Sequence, residues 1–151
     1  MRKISPVGLE LIKKYEGLRL KSYLCPAGIN TIGYGTIIYP NGKPVNPGDT
    51  LKSEAEATLL LVDTLHQYEY VVNKNLSNLN QWQFDSLVSF AYNIGVSAFE
   101  KSTLLMLAKI NKNDPRLINE FLRWKYASGK ILAGLTARRT EEANLYFMKT
   151  V

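Results

Sequence analysis

Glu16-Gly17-Leu18-Arg19-Leu20-Lys21-Ser22-Tyr23-Leu24-Cys25-Pro26-Ala27-Gly28-Ile29-Asn30-Thr31-Ile32-Gly33-Tyr34-Gly35 divides a helix-like segment from a strand-like one. Upstream, Ser5-Pro6 is a helix start: Ser5 can cap the first amides, and Pro6 fits a first turn where its missing N–H costs nothing. Leu9, Ile12 and the Val7/Leu11 pair recur at helical spacing, which predicts one buried face. Gly17 suits the left-handed residue just past a helix C-terminus. Glu16 then closes the helix at the negative end of its dipole, which favours the protonated carboxyl that a general acid needs. No Asp or Glu follows until Asp49, so the polar groups nearest downstream are Tyr23, Cys25, Asn30 and Thr31.

Outward from that stretch, Asn30 to Tyr39 is rich in Thr, Ile and Tyr and reads as strand. Pro40-Asn41-Gly42-Lys43 reads as a hairpin turn, because Asn-Gly accepts positive dihedrals. Pro44 to Asp49 reads as loop, which confines the β region to roughly residues 18–46. Ser53 and Glu56 form a capping box that opens a long helix to about Lys74, with Leu59, Leu60, Val62, Leu65 and Tyr68 as apolar contacts. Asn80 can cap a helix from Gln81 to about Asn93, closed by Gly95, with Phe84, Leu87, Val88 and Ala91 facing inward. Ser102 caps a further helix through Lys109. Asn113 or Asp114, ahead of Pro115, opens one to about Tyr126. Ser128-Gly129-Lys130 breaks the chain before a last helix from about Leu135 to Met148. Trp82 and Trp124 are expected in the core.

Composition narrows the classes. An apolar fraction of 46% in 151 residues suffices for one domain with a core. No apolar run approaches the roughly 20 residues that span a bilayer. The early Glu10, Lys13 and Lys14 do not fit a signal peptide, which predicts a cytoplasmic product. One cysteine can form no internal disulfide, as expected of a reducing compartment. The only histidine, His66, is expected to be a partly exposed helical residue, and one His with one Cys makes a dedicated metal site improbable. The net charge of +6 is uneven: seven Lys/Arg against three acids in residues 1–50, two against six in 51–100, and ten against four in 101–151. Such a surface suits polyanions. The basic residues are spread over separate helices, however, and no nucleic-acid-binding signature accompanies them.

Glu16, eight residues, a thiol, five residues, then Thr31 in Thr-Ile-Gly-Tyr-Gly resembles the phage-type lysozymes, or endolysins, of glycoside hydrolase family 24. Most members have Asp where this chain has Cys25; a minority carry Cys. Gln83 to Gly95 is similar to that family's central helix, and Gly134-Leu135-Thr136-Ala137-Arg138-Arg139-Thr140-Glu141-Glu142 to its C-terminal signature, with Phe121, Trp124 and Gly129-Lys130 between them in the expected order. The likeness covers nearly the whole chain. It implies hydrolysis of the β-1,4 bond between N-acetylmuramic acid and N-acetylglucosamine in peptidoglycan. Glu16 would protonate the leaving oxygen, while Cys25 and Thr31 hold or activate water on the opposite face, as inverting cleavage requires. Tyr92 and Asn93 match the aromatic-amide step that borders the sugar site. Arg138 and Arg139 fall early in the last helix, where cations oppose the dipole; this calls for an acidic partner, with Glu16 a candidate.

The expectation is therefore an α+β, lysozyme-like fold in a single catalytic domain. It has a small β-containing lobe at about 16–52, a linking helix at about 53–74, and a helical lobe at about 75–151 that takes in the N-terminal helix 5–15. No cofactor and no metal is expected. The resemblance implies a monomer acting on bacterial peptidoglycan for phage-driven lysis, without nucleic acid or stable membrane insertion, held in the host cytoplasm until a holin admits it to the wall. Two rivals stay open: a lytic transglycosylase, and a non-catalytic wall-binding protein that kept the fold without Asp.

Overall fold

The computed structural model describes residues 1–149. In chain order its elements are α1 (Pro6–Glu16), β1 (Arg19–Leu24), β2 (Asn30–Gly33), α2 (Glu54–Asn75), α3 (Gln81–Ile94), α4 (Val96–Lys101), α5 (Thr103–Ile110), α6 (Leu117–Leu122), β3 (Tyr126–Ala127), β4 (Lys130–Ile131) and α7 (Ala133–Tyr146). The class is α+β. The chain divides into two compact units, Ile12–Gln67 and Met1–Leu11 with Tyr68–Val151, so the boundaries fall inside α1 and α2. The last two residues of the expected helical lobe, 150 and 151, lie outside the described residues.

In the unit Ile12–Gln67, β1 and β2 form an antiparallel hairpin that pairs Arg19 with Gly33, Tyr23 with Thr31 and Leu24 with Asn30, with an irregularity between Arg19 and Tyr23. The other edge of β1 is taken by the segment before α2: Ser22 donates its amide to the Asp49 carbonyl at 2.9 Å, and Leu51 donates to Leu20 at 2.7 Å. The strand expected to run to Tyr39 stops at Gly33. Gly33 and Gly35 both take positive φ, and Ile32 and Thr36 exchange amide–carbonyl bonds of 2.9 Å across the turn between them. Period-2 patterning cannot register this, because the residues that reverse the chain are the ones free of a Cβ. The Pro40–Lys43 turn forms as the sequence indicates, with Gly42 at φ +84° and Gly42 N–H donating to the Tyr39 carbonyl.

At the start of α2, Ser53 Oγ accepts the Glu56 amide at 3.3 Å, but Glu56 reaches back to the Lys52 amide, at 2.7 Å, one residue earlier than a capping box requires. The buried apolar positions of α2 are Ala57, Leu61, Leu65, Val71 and Val72, whereas Leu59 is 71% exposed. Four consecutive apolar residues, Leu59 to Val62, hide the helical phase from the sequence, and packing selects Leu61.

In the other unit, α3 is the central element, packed against α7 and α4. Asn80 Oδ1 accepts the Gln83 amide at 2.8 Å while Gln83 Oε1 accepts the Asn80 amide at 3.0 Å, a full capping box. Residues Gln83 to Ala91 are all buried, a wider face than the predicted stripe. Phe90 meets Phe99, Phe121 and Trp124 edge-on, with Trp124 half-buried. Ser102 caps α5 through the Leu105 amide at 3.1 Å. The helix expected to reach Tyr126 ends at Leu122, because Tyr126–Ala127 and Lys130–Ile131 pair as a hairpin across Ser128 and Gly129, both at positive φ. Helix α4 and this hairpin are too short for any periodicity to reveal.

Candidate active site

The end of α1 places the first candidate. Gly17, at φ +72°, turns the chain out of the helix, and its amide donates to the Lys13 carbonyl at 3.0 Å. Glu16 is therefore the last helical residue, half-buried, three residues before β1 begins. The reading of Ser5-Pro6 as the opposite end also holds: Ser5 Oγ accepts the Gly8 amide at 3.4 Å.

Cys25 and Thr31 come together at the other end of the hairpin. Cys25 follows β1 in a tight turn in which the Gly28 amide donates to the Cys25 carbonyl at 2.8 Å and the Cys25 amide to the Ile29 carbonyl at 3.0 Å. The thiol is held below its ordinary value, chiefly by the backbone amide of Ile29; desolvation opposes this, while the Ala27 amide adds to it. Donors aimed at a sulfur favour the thiolate over the thiol. Thr31, 4% exposed, is fixed by donating its hydroxyl to the Ile29 carbonyl at 2.9 Å. A thiolate beside an oriented hydroxyl can hold a water molecule and accept its proton.

The remaining candidates belong to the second unit. Tyr92 is half-buried at the end of α3 and meets Tyr68 edge-on, with centroids 5.2 Å apart. Asn93 is exposed, and its Oδ1 accepts from Arg139 Nη2 at 2.8 Å, which leaves the amide nitrogen to donate elsewhere. Arg138 and Arg139 are both buried, and the acid between them in this unit is Glu142, which the sequence reading did not single out. Arg139 Nε lies 2.7 Å from Glu142 Oε1, an ion contact off the line of a hydrogen bond, and Arg138 Nε lies 3.5 Å from Glu142 Oε2. Ser89 Oγ donates to Glu142 Oε2 at 2.6 Å, Arg138 Nη2 donates to the Ser89 carbonyl at 3.2 Å, and the Arg139 guanidinium stands 5.1 Å from the Phe90 ring centre. Burial pushes the Glu142 carboxyl up, and the two guanidiniums pull against it. The signal was available: Glu142 follows the arginines by four and three residues, the spacing of neighbours on one helix face.

His66 is exposed on α2. Among the described residues, no group of three or more His, Cys, Asp or Glu could hold a metal ion, and no helix is long and apolar enough to cross a membrane.

A carboxyl at a helix end, a short hairpin carrying a thiol–hydroxyl pair, and a helical unit built around α3 define a lysozyme-like α+β protein. The chain belongs to the phage lysozyme family, whose model matches residues 13–142. It is 41% identical to the endolysin of Bacillus phage B103 over 145 residues, which cover 95% of this chain and 53% of that one. The chain thus spans about half the length of the Bacillus phage relatives that it matches. Among solved structures, it superposes on the endolysin of Escherichia coli O157:H7 phage FAHEc1 with a TM-score of 0.87 at 36% identity, covering 97% of this chain and 94% of that one. The muramidase domain of SpmX from Asticaccaulis excentricus gives 0.85 at 32% identity, covering 99% and 100%.

Proposed function

We propose that this chain is a peptidoglycan hydrolase, an N-acetylmuramidase that cuts the β-1,4 bond between N-acetylmuramic acid and N-acetylglucosamine. The observation that carries the reading is that Cys25 and Thr31 converge on the hairpin that opens three residues after Glu16, the Cys25 amide and the Thr31 hydroxyl both donating to the Ile29 carbonyl. Membership of the phage lysozyme family and likeness to endolysins and to a muramidase domain support the same chemistry.

Glu16 donates the proton to the departing oxygen. Cys25 and Thr31 orient a water on the opposite face of the sugar and draw off its proton, so the anomeric centre inverts; the geometry asks for about 6.5–9.5 Å between the two groups. Tyr92 offers an edge for sugar packing, and the free amide nitrogen of Asn93 a donor for an acetamido or hydroxyl oxygen. Lysis at the end of a phage cycle, passage to the wall through a holin-made lesion and action as a monomer belong to the same proposal.

Glu16→Gln tests it, because the amide keeps the size and removes the titrating proton. Release of reducing ends from purified peptidoglycan should fall at least about a hundredfold while circular dichroism stays unchanged. Near-full activity in the folded variant would sink the mechanism. Anhydro-muramic ends in the wild-type digest would identify a lytic transglycosylase instead.

A further inference from the structure

Tyr34 is 4% exposed and sits in the turn that follows β2, between Gly33 and Gly35. The Lys13 ammonium lies over its ring, 5.4 Å from the centre, and its hydroxyl donates to Glu54 Oε1 at 2.8 Å. The same Glu54 oxygen is 3.8 Å from Lys13 Nζ. Three elements meet in this contact: the last turn of α1, the turn after β2, and the first residue of α2. Lys13 precedes Glu16 by three residues, and its carbonyl accepts the Gly17 amide that ends the helix. Tyr34 follows Thr31 by three residues.

The geometry points to Tyr34, held by Lys13 and Glu54, as a positioning residue that fixes the helix end bearing Glu16 against the strand bearing Thr31; this rests on the reaction proposed above. The Lys13 side chain is 13% exposed, so its ammonium needs partners, and the ring face and the carboxylate supply them. Glu54 is 63% exposed, and an ion pair with so open a partner adds little stability. What the contact supplies is direction. The positive φ of Gly33 and Gly35 leaves the turn no intrinsic preference for one placement, and the Tyr34 anchor provides it. Displacing a reacting group by about 1 Å can cost up to about a hundredfold in rate.

The test compares Tyr34→Leu, Lys13→Met and Lys13→Arg with Tyr39→Phe, which removes another hydrogen bond of this unit, Tyr39 to Asp49 at 2.6 Å, away from both elements. On soluble, uncrosslinked glycan strands, Tyr34→Leu and Lys13→Met should lower kcat about tenfold at unchanged KM, and Lys13→Arg should recover most of the loss. Tyr39→Phe should leave both constants within about twofold. Alkylation of Cys25 by iodoacetamide reports the same geometry without turnover: its apparent pKa should rise in Tyr34→Leu as β2 shifts and carries with it Ile29, whose amide faces the sulfur, and stay put in Tyr39→Phe. Unchanged kcat in a folded Tyr34→Leu, an equal fall in Tyr39→Phe, or an unmoved thiol titration would each overturn the inference. A wild-type protein that releases no reducing ends would defeat the proposed reaction instead, and the thiol titration alone would then decide the positioning role.

Discussion

The resemblance sets Cys25 where a carboxylate would be more usual, and the thiol is held below its ordinary value. The amides of Ile29 and Ala27 act on its sulfur and, against desolvation, favour the thiolate. Alkylation by iodoacetamide should accordingly titrate with an apparent pKa below the free value of about 8.5. The sign for stability follows: the fold prefers the ionised form, so this contribution is present above the unfolded thiol's value and is lost as the pH falls through the folded one. If the sulfur positions water, Cys25→Asp should keep or raise activity, because a carboxylate is the stronger acceptor, and Cys25→Ser should keep a measurable fraction. A nearly inactive Ser variant would mark a nucleophile, and a fully active Cys25→Ala would refute both roles. The spacing from Glu16 to Cys25 to Thr31 was legible in the sequence. The donors were not, because they exist only once Gly28, at φ +76°, folds the Pro26–Ile29 turn back over the sulfur.

At the scale of the element, α1 shows how a weak local preference can conceal a tertiary requirement. Gly8 lies inside the helix, where Ala would ordinarily add about 1 kcal/mol. A Cβ there, however, would stand 2.7 Å from Asp85 Cβ and Cγ and 2.8 Å from Ile4 Cγ1. Asp85 cannot yield: it is fully buried and accepts from the Ser5 amide at 3.0 Å, from the Ser5 hydroxyl, and from Gln81 Nε2 at 2.7 Å. Overpacking of about 1–3 kcal/mol then outweighs the propensity gain. Gly8→Ala should lower the melting temperature by several degrees without moving KM, and a stabilised Gly8→Ala in calorimetry would show that Asp85 can move. The same contrast governs what the sequence disclosed. Caps that are closed by their own side chain, such as Asn80 and Ser102, were legible, because donor and acceptor are three residues apart. The end of β2, the exposure of Leu59 and the β3–β4 hairpin were not, since long-range packing or a positive φ decides each of them. Glu142 lies between these cases: its spacing from Arg138 and Arg139 was readable, its burial was not.

For the whole molecule, the +6 net charge is the property that acts at a distance, and its distribution suggests what it acts on. The central third is acidic, while the basic residues lie in residues 1–50 and 101–151, on segments that fold into different elements. A field made this way attracts a polyanion without reading its sequence, as capture of the acidic wall proposed above requires. Many of these cations have nearby acids that blunt them, such as Arg116 at 2.6 Å from Asp114 and Arg123 at 3.2 Å from Glu120, yet the balance stays positive. Exposed charges are screened beyond about 8 Å at physiological ionic strength. Raising the salt should therefore slow lysis of intact, anionic cell walls more than cleavage of small neutral muropeptides, in which only contacts inside the site matter. The measurement is the slope of the rate against salt for the two substrates under one buffer. A steeper slope for the walls assigns the charge to capture of the polymer, whereas equal slopes would confine salt sensitivity to the site itself and leave the +6 without a steering role.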